Sequence, residues 1–262
     1  MWERFGLPGL PAVGARTYLA LSLAELGTFA EGLAIGEEGI HVAHATERPF
    51  DLVRAYVGVG MLHLRKGDLP RAISAFERCL EFIEVGNIHL WFPWTASALG
   101  YAYALAGRLN EAVPLVEQAM EQAVSRHMVG HHALWVGWLS EAYLLARRTQ
   151  DATELAGRAL ALSRKHKERG NEAWTLRLLG EIHAQLDPPA VESAEEYYRQ
   201  ALALAEELGM RPLLAHCHLG RGILHLKMNT LAQAHSELAT AIELLRAMEM
   251  PFWLGRAEER QR

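Results

Sequence analysis

Small, bulky and polar positions recur along this chain with a regular long period. A small residue in a helix-like context stands at Ala20, Gly60, Gly100, Ser140, Gly180 and Gly222, with four steps of 40 and one of 42. Three residues after each comes a larger side chain: Leu23, His63, Tyr103, Tyr143, His183 and His225. Seven residues after it, Gly27, Gly67, Gly107 and Asn229 supply turn signals. A second helical stretch follows, in which Gly32, Ala72, Ala112, Ala152, Ala194 and Ala234 form one column. Gly39, Cys79, Ala119, Ala159, Ala201 and Ala241 form another. Self-similarity at such a period is the mark of a repeat architecture.

The columns predict six antiparallel helical hairpins, at residues 13–46, 53–86, 93–126, 133–166, 173–208 and 215–248. Small residues allow two helices to approach closely, and glycine after the first helix of a pair supplies its left-handed end. Asp68 is placed to cap the second helix of the second hairpin, with Pro70 in its first turn. Phe76, Val116, Tyr198 and Leu238 form a bulky column expected to fill the gap to the following hairpin. A lone hairpin cannot bury both of its faces, so neighbours must stack. Residues 251–262, from Pro251 through Phe252, Trp253 and Leu254 to a charged end, read as a capping helix. The expected fold is therefore an all-α right-handed solenoid, one domain over residues 1–262. Gly32, Gly36 and Gly39 weaken the first copy, each by about 0.5–1 kcal/mol against alanine. That copy is expected to fray unless something covers it, and the chain is expected to belong to a longer protein.

The stretch Leu99-Gly100-Tyr101-Ala102-Tyr103, then Gly107, then Ala112, Val116 and Ala119, resembles the tetratricopeptide repeat. The period is longer than is usual in that family, which implies longer helices. Leu178-Leu179-Gly180-Glu181-Ile182, Asp187-Pro188-Pro189, the run from Tyr198 to Met210, and Ala215-His216-Cys217-His218-Leu219-Gly220 narrow the likeness. They resemble the long-helix repeats joined to ATPase or class III adenylyl cyclase modules in bacterial multidomain regulators. The resemblance implies a non-catalytic interaction scaffold whose partner is a protein or peptide, and an ATPase- or cyclase-type domain is one such partner. Homodimer formation is a further expectation.

Composition narrows the classes. With 31 acidic and 26 basic residues and a formal net charge of −5, the chain has no global footprint for nucleic acid or an anionic membrane. Two cysteines, Cys79 and Cys217, cannot make a disulfide framework, and a reducing cytoplasm is the expected location. Residues 85–107 carry no Asp, Glu, Lys or Arg, but their polar residues and repeat register argue against a membrane span.

Enzyme signatures are missing: there is no GxxxxGK[ST] phosphate loop, HExxH zinc helix or GxSxG nucleophile elbow. Gly58-x-Gly60 and Gly220-x-Gly222 fall inside helices and read as packing glycines rather than a dinucleotide loop. His216, Cys217 and His218 point to different faces of a helix and cannot share one ion, so neither a metal nor another cofactor is expected. His63, His183 and His225 share a column with Tyr103 and Tyr143 and read as packing residues with one polar edge. The basic run from Arg164 to Arg169 ends a second helix, where cations meet the negative end of its dipole.

In tetratricopeptide solenoids the first helices line a concave groove, and that geometry selects the candidate site. The peptide-groove candidates are Arg54 and Met61 in the second copy, with Val57, and Trp94 and Tyr101 in the third, with Ser97. Glu141 follows in the fourth copy, Trp174, Arg177 and Glu181 in the fifth, and His216 in the sixth. Trp94 and Trp174 lie two repeats apart and would face alike, either into the groove or into the core. The reading is of a groove-binding scaffold. A small-molecule or signalling-peptide sensor and a self-association module are the alternatives.

Overall fold

A computed structural model describes residues 6–128 and 130–261. Among them the chain forms thirteen α-helices, one short 3-10 turn and no strand. Two compact units divide it, Met1–His127 and Met128–Arg262. The first contains α1 (Pro11–Leu26), α2 (Phe29–His44), α3 (Pro49–Lys66), α4 (Leu69–Gly86), the 3-10 turn His89–Trp91, α5 (Phe92–Leu105) and α6 (Leu109–Ser125). The second contains α7 (His132–Leu145), α8 (Thr149–His166), α9 (Arg169–Gln185), α10 (Val191–Leu208), α11 (Arg211–Lys227), α12 (Leu231–Ala247) and α13 (Pro251–Gln261). Odd-numbered helices are the first of each hairpin, even-numbered ones the second. Within each unit a second helix also packs on the first helix that follows it: α2 on α3, α4 on α5, α8 on α9, α10 on α11 and α12 on α13. That is the stacking of an α-solenoid closed by a C-terminal helix.

The turn chemistry follows the sequence. Gly27, Gly67 and Gly107 adopt φ of 77°, 86° and 79°, a region that glycine enters without steric penalty. Asp68 accepts the Arg71 N–H at 3.4 Å, and Pro70 sits in the first turn of α4, where no helical hydrogen bond is lost. The third and fourth copies repeat one staple in the same register. Arg108 lies 3.8 Å from the Tyr103 ring centroid and Arg148 lies 3.8 Å from that of Tyr143.

The bulky column also has a role within its own hairpin that the spacing did not show. Phe76, Val116, Tyr198 and Leu238 press on the small residue of their own hairpin. A Cβ added to Gly60 would lie 2.6 Å from Phe76, one on Gly180 2.9 Å from Tyr198, and one on Gly222 2.7 Å from Leu238. Val116 meets Gly100 in the same way. The antiparallel crossing brings the two columns face to face, and glycine makes the socket into which the large side chain fits. Tyr198 is long enough to do both jobs, because it also reaches Gly220 of the next hairpin. Each of these side chains is at most 1% exposed. Their burial contributes about 1.5–3 kcal/mol apiece.

The first copy forms a complete α2 of 16 residues. Its glycines are contact points: Gly32 faces Leu62 and Leu23, Gly36 faces Val59, and Gly39 faces Arg16. What glycine lacks in helix propensity is offset by the close approach of α2 to α3. In α13, Trp253 and Ala257 are buried while Phe252 and Leu254 are half-buried, so the cap covers less than its sequence suggested. No described helix is long and apolar enough to cross a membrane.

Candidate ligand-binding face of the first helices

Within each unit the first helices that follow another hairpin pack on their own second helix and on that hairpin, so most of their circumference is covered. This decides several candidates at once. Met61 and Tyr101 are 3% and 5% exposed, and Val57 and Ser97 are fully buried. These residues form the wall of the core and offer a ligand little surface. Arg54, Trp94, Trp174 and His216 are half-buried and remain reachable. Trp135 and Trp138 are core.

In the first unit Arg54 rises from α3 with its guanidinium carbon 5.8 Å from the ring centroid of Tyr18 on α1 and 5.8 Å from that of Phe50. Gly14 lets this guanidinium lie against α1, where a Cβ would collide with it. The Thr17 hydroxyl donates to the Arg54 carbonyl at 3.1 Å and ties the two helices together. An aromatic row continues from Phe50 to Trp91 at 5.8 Å and from Trp91 to Trp94 at 6.0 Å. Among the described residues no carboxylate lies within ion-pair distance of Arg54. The buried Asp51, one turn earlier, is engaged by the Leu10 N–H at 2.8 Å instead.

The second unit treats its arginine differently. Arg177 on α9 is 6% exposed; its Nη2 donates to Glu141 on α7 at 2.7 Å and its Nη1 to Glu181 at 2.6 Å. Gln185 donates to the other oxygen of Glu181 at 3.2 Å. Burial pushes the Glu181 carboxyl above its ordinary value, against the pull of Arg177. Beside this triad runs a second aromatic row. Trp174 meets His216 at 5.5 Å, His216 meets Trp253 at 4.3 Å, and Arg256 lies 4.5 Å from the Phe252 centroid. Glu141, Trp174, Arg177, Glu181 and His216 therefore do converge. The sequence did not place Trp253 and Arg256 of the cap with them, nor Tyr18, Phe50 and Trp91 with Arg54. The repeat register held the only available signal: Arg256 stands one full period after His216.

The remaining polar groups are structural. Glu237 on α12 pairs with His218 at 2.6 Å and Arg221 at 2.7 Å, and Arg221 reaches Glu195 on α10 at 3.1 Å. His225 is 3.4 Å from the same Glu195. His63 is buried near Asp68, and burial lowers its pKa; His183 is lowered for the same reason and lies beside Tyr197. Among the described residues no three His, Cys, Asp or Glu side chains are grouped to hold a metal ion. Burial raises the Cys79 thiol well above its usual range and that of Cys217 to about 12, which leaves both as thiols rather than nucleophilic thiolates. The basic run is partly neutralised locally, by Arg164 with Glu172 at 2.8 Å and by Arg169 with Glu207.

Residues 51–125 match the tetratricopeptide repeat family model. The matched stretch is α3 to α6, the segment that holds Arg54 and Trp94. Among solved structures, the apo form of RapI aligns with a TM-score of 0.67 at 12% identity, over 90% of this chain and 85% of that one. BtubC (BKLC) from P. vanneervenii aligns with a TM-score of 0.55 at 16% identity, over 84% of this chain and 92% of that one. At such identities the likeness is one of fold. No curated protein sequence matches the chain significantly. A helical-repeat scaffold is what the family match over residues 51–125 and the fold support.

Proposed function

We propose that this protein is a non-catalytic interaction scaffold that binds a peptide or helix of a protein partner on the first-helix face. The observation that carries the reading is Arg54. Its guanidinium is half-buried between Tyr18 and Phe50, the latter packed on Trp91, and has no carboxylate within reach among the described residues. A guanidinium so placed suits a carboxylate from outside, which it can bind in bidentate fashion. Aromatic and arginine side chains in partly desolvated settings are the residues that dominate interface energies. The partner segment is accordingly one with an acidic side chain flanked by apolar residues. An ATPase- or cyclase-type domain carrying such a segment fits the reading, with binding in the cytoplasm. Arg177, by contrast, is paired with Glu141 and Glu181 and serves to join α7 to α9.

Affinity capture from the lysate of the source cell tests the assignment, with wild type beside Arg54→Glu and both checked for equal helicity by circular dichroism. A protein retained by wild type and lost from Arg54→Glu supports it. Equal retention removes Arg54 from the binding face. Arg177 is left intact in this test, because breaking its triad would confound binding with stability.

A further inference from the structure

Between the two helices of the second hairpin lies a cavity of about 360 Å³, beside α2, whose Gly36 approaches the Val59 wall. On α3 it is lined by Tyr56, Val59 and His63, three and four residues apart and so on one face. On α4 the lining residues Arg71, Ser74 and Arg78 repeat that spacing, and Ala75 completes the wall. None of the lining residues is acidic. The two arginines and the serine are exposed, so the cavity is reachable from solvent.

Its charge departs from the repeat. Moved by whole repeats, Arg71 falls on Glu31, Glu111, Asp151, Ser193 and Gln233, none of them basic. In the third and fourth copies the acid at this place pairs with an arginine three residues earlier, Arg108 with Glu111 and Arg148 with Asp151. The second copy reverses the pair: Asp68 stands first, and Arg71 brings its positive charge to the cavity. His63 takes the place of Tyr103 and Tyr143. It is 9% exposed, and its buried Nδ1 makes no hydrogen bond, with Asp68 Oδ2 3.6 Å away.

We propose that this cavity binds the phosphate of a small organic phosphate monoester. Ser74 stands about one turn from each arginine on the same helix, so its hydroxyl and the two guanidinia can converge on one anion. A phosphate monoester carries a charge of about −1.5 to −2 at pH 7 and three acceptor oxygens. Two guanidinia and a hydroxyl match that better than they match the single charge of a carboxylate. The present partners of the arginines are exchangeable. Arg71 meets Asp68 at 3.4 Å with 73% of its side chain exposed, and Arg78 meets Glu81 at 2.6 Å with both side chains more than half exposed. Exposed pairs of this kind contribute at most about 1 kcal/mol, so a dianion can displace them. His63, the buried polar residue of the wall, can add a ring N–H. Val59, Ala75 and the Tyr56 ring offer apolar surface to the organic part, and the volume suits a small ligand. Arg54 does not line the cavity, so this proposal and the interaction reading stand or fall separately.

Isothermal titration of the full chain with phenyl phosphate at pH 7.5 tests the assignment. The expected dissociation constant is below about 1 mM, weakened at least about tenfold in Arg71→Ser and in Arg78→Ser. Arg199→Ser, which removes a comparably exposed arginine from α10, should bind as wild type does. All four proteins are first matched for helicity by circular dichroism. Benzoate, with the same ring and a single negative charge, should bind at least about tenfold more weakly than phenyl phosphate. Inorganic phosphate should also bind more weakly, because it lacks the organic part. Absence of saturable phenyl phosphate binding, or binding by both cavity variants equal to that of wild type, overturns the proposal. Equal affinity for benzoate overturns the choice of phosphate. Equal affinity for inorganic phosphate overturns the organic part and assigns the cavity to the free ion.

Discussion

Two arginines on first helices, Arg54 and Arg177, meet opposite surroundings. Arg177 is buried and bonded to two carboxylates, one on its own helix and one on the preceding first helix. Arg54 is half-buried, stacked on two aromatic rings and without a described counter-ion. Both carry the same charge from the same class of helix. The difference teaches that an arginine in this fold is structural where the adjoining repeat supplies an acid, and available to a partner where it supplies an aromatic ring.

The contrast is open to direct attack, and Arg177→Ala should have the largest effect. It leaves Glu141 and Glu181 facing each other with little water, and removing one member of a buried pair costs about 3–5 kcal/mol. Thermal unfolding followed by circular dichroism should show a fall of several degrees in Tm, and addition of Glu141→Gln should recover part of it. An unchanged Tm would mean that the triad contributes nothing to the second unit.

The first unit depends instead on steric fit. Gly60→Ala puts a methyl 2.6 Å from the Phe76 ring and should cost about 1–3 kcal/mol in urea unfolding. Phe76→Leu in the same chain should relieve some of that loss. If the single variant is neutral, the socket under Phe76 is looser than the geometry implies.

Acid should act on the first unit through His63. Burial disfavours its protonated form in the folded chain, so the folded pKa lies below the ordinary value of 6.5 and the unfolded chain binds more protons. Stability is then full above about 6.5 and declines as the pH falls from there to the folded pKa. Urea midpoints measured between pH 7.5 and 5 should fall less steeply for His63→Gln than for wild type. Parallel profiles would remove His63 from the acid response.

The smallest effect belongs to Arg54→Ala. With no described ion pair to lose, it gives up its stacking on Tyr18 and Phe50 and should cost no more than about 1 kcal/mol. A loss comparable to that of Arg177→Ala would erase the distinction between the two arginines and make Arg54 structural too.

How much was legible in the sequence follows from the same contrast. The hairpins were readable because each repeat makes the same contact: Gly60, Gly100, Gly180 and Gly222 all occupy the socket position, and a requirement renewed in every copy leaves a visible column. The socket that the bulky column finds in its own hairpin was not read, because spacing along the chain does not say that Phe76 meets Gly60. The candidate face was legible in part. Trp174, Arg177 and Glu181 share a helix, so their proximity could be inferred, whereas the bond from Arg177 to Glu141 joins different hairpins. Met61 and Tyr101 stand in register with Glu141 and Glu181, yet they are sealed in the core.

By itself, then, the sequence determined the all-helical repeat, its period, its glycine turns and the apolar nature of its cap. These are local or periodic requirements, and each is written several times over. Only the tertiary structure decided which arginine is neutralised and which aromatic rings gather beside it. Each of those depends on pairing between residues of different repeats, where burial and distance of approach fix the energy and no spacing rule records it.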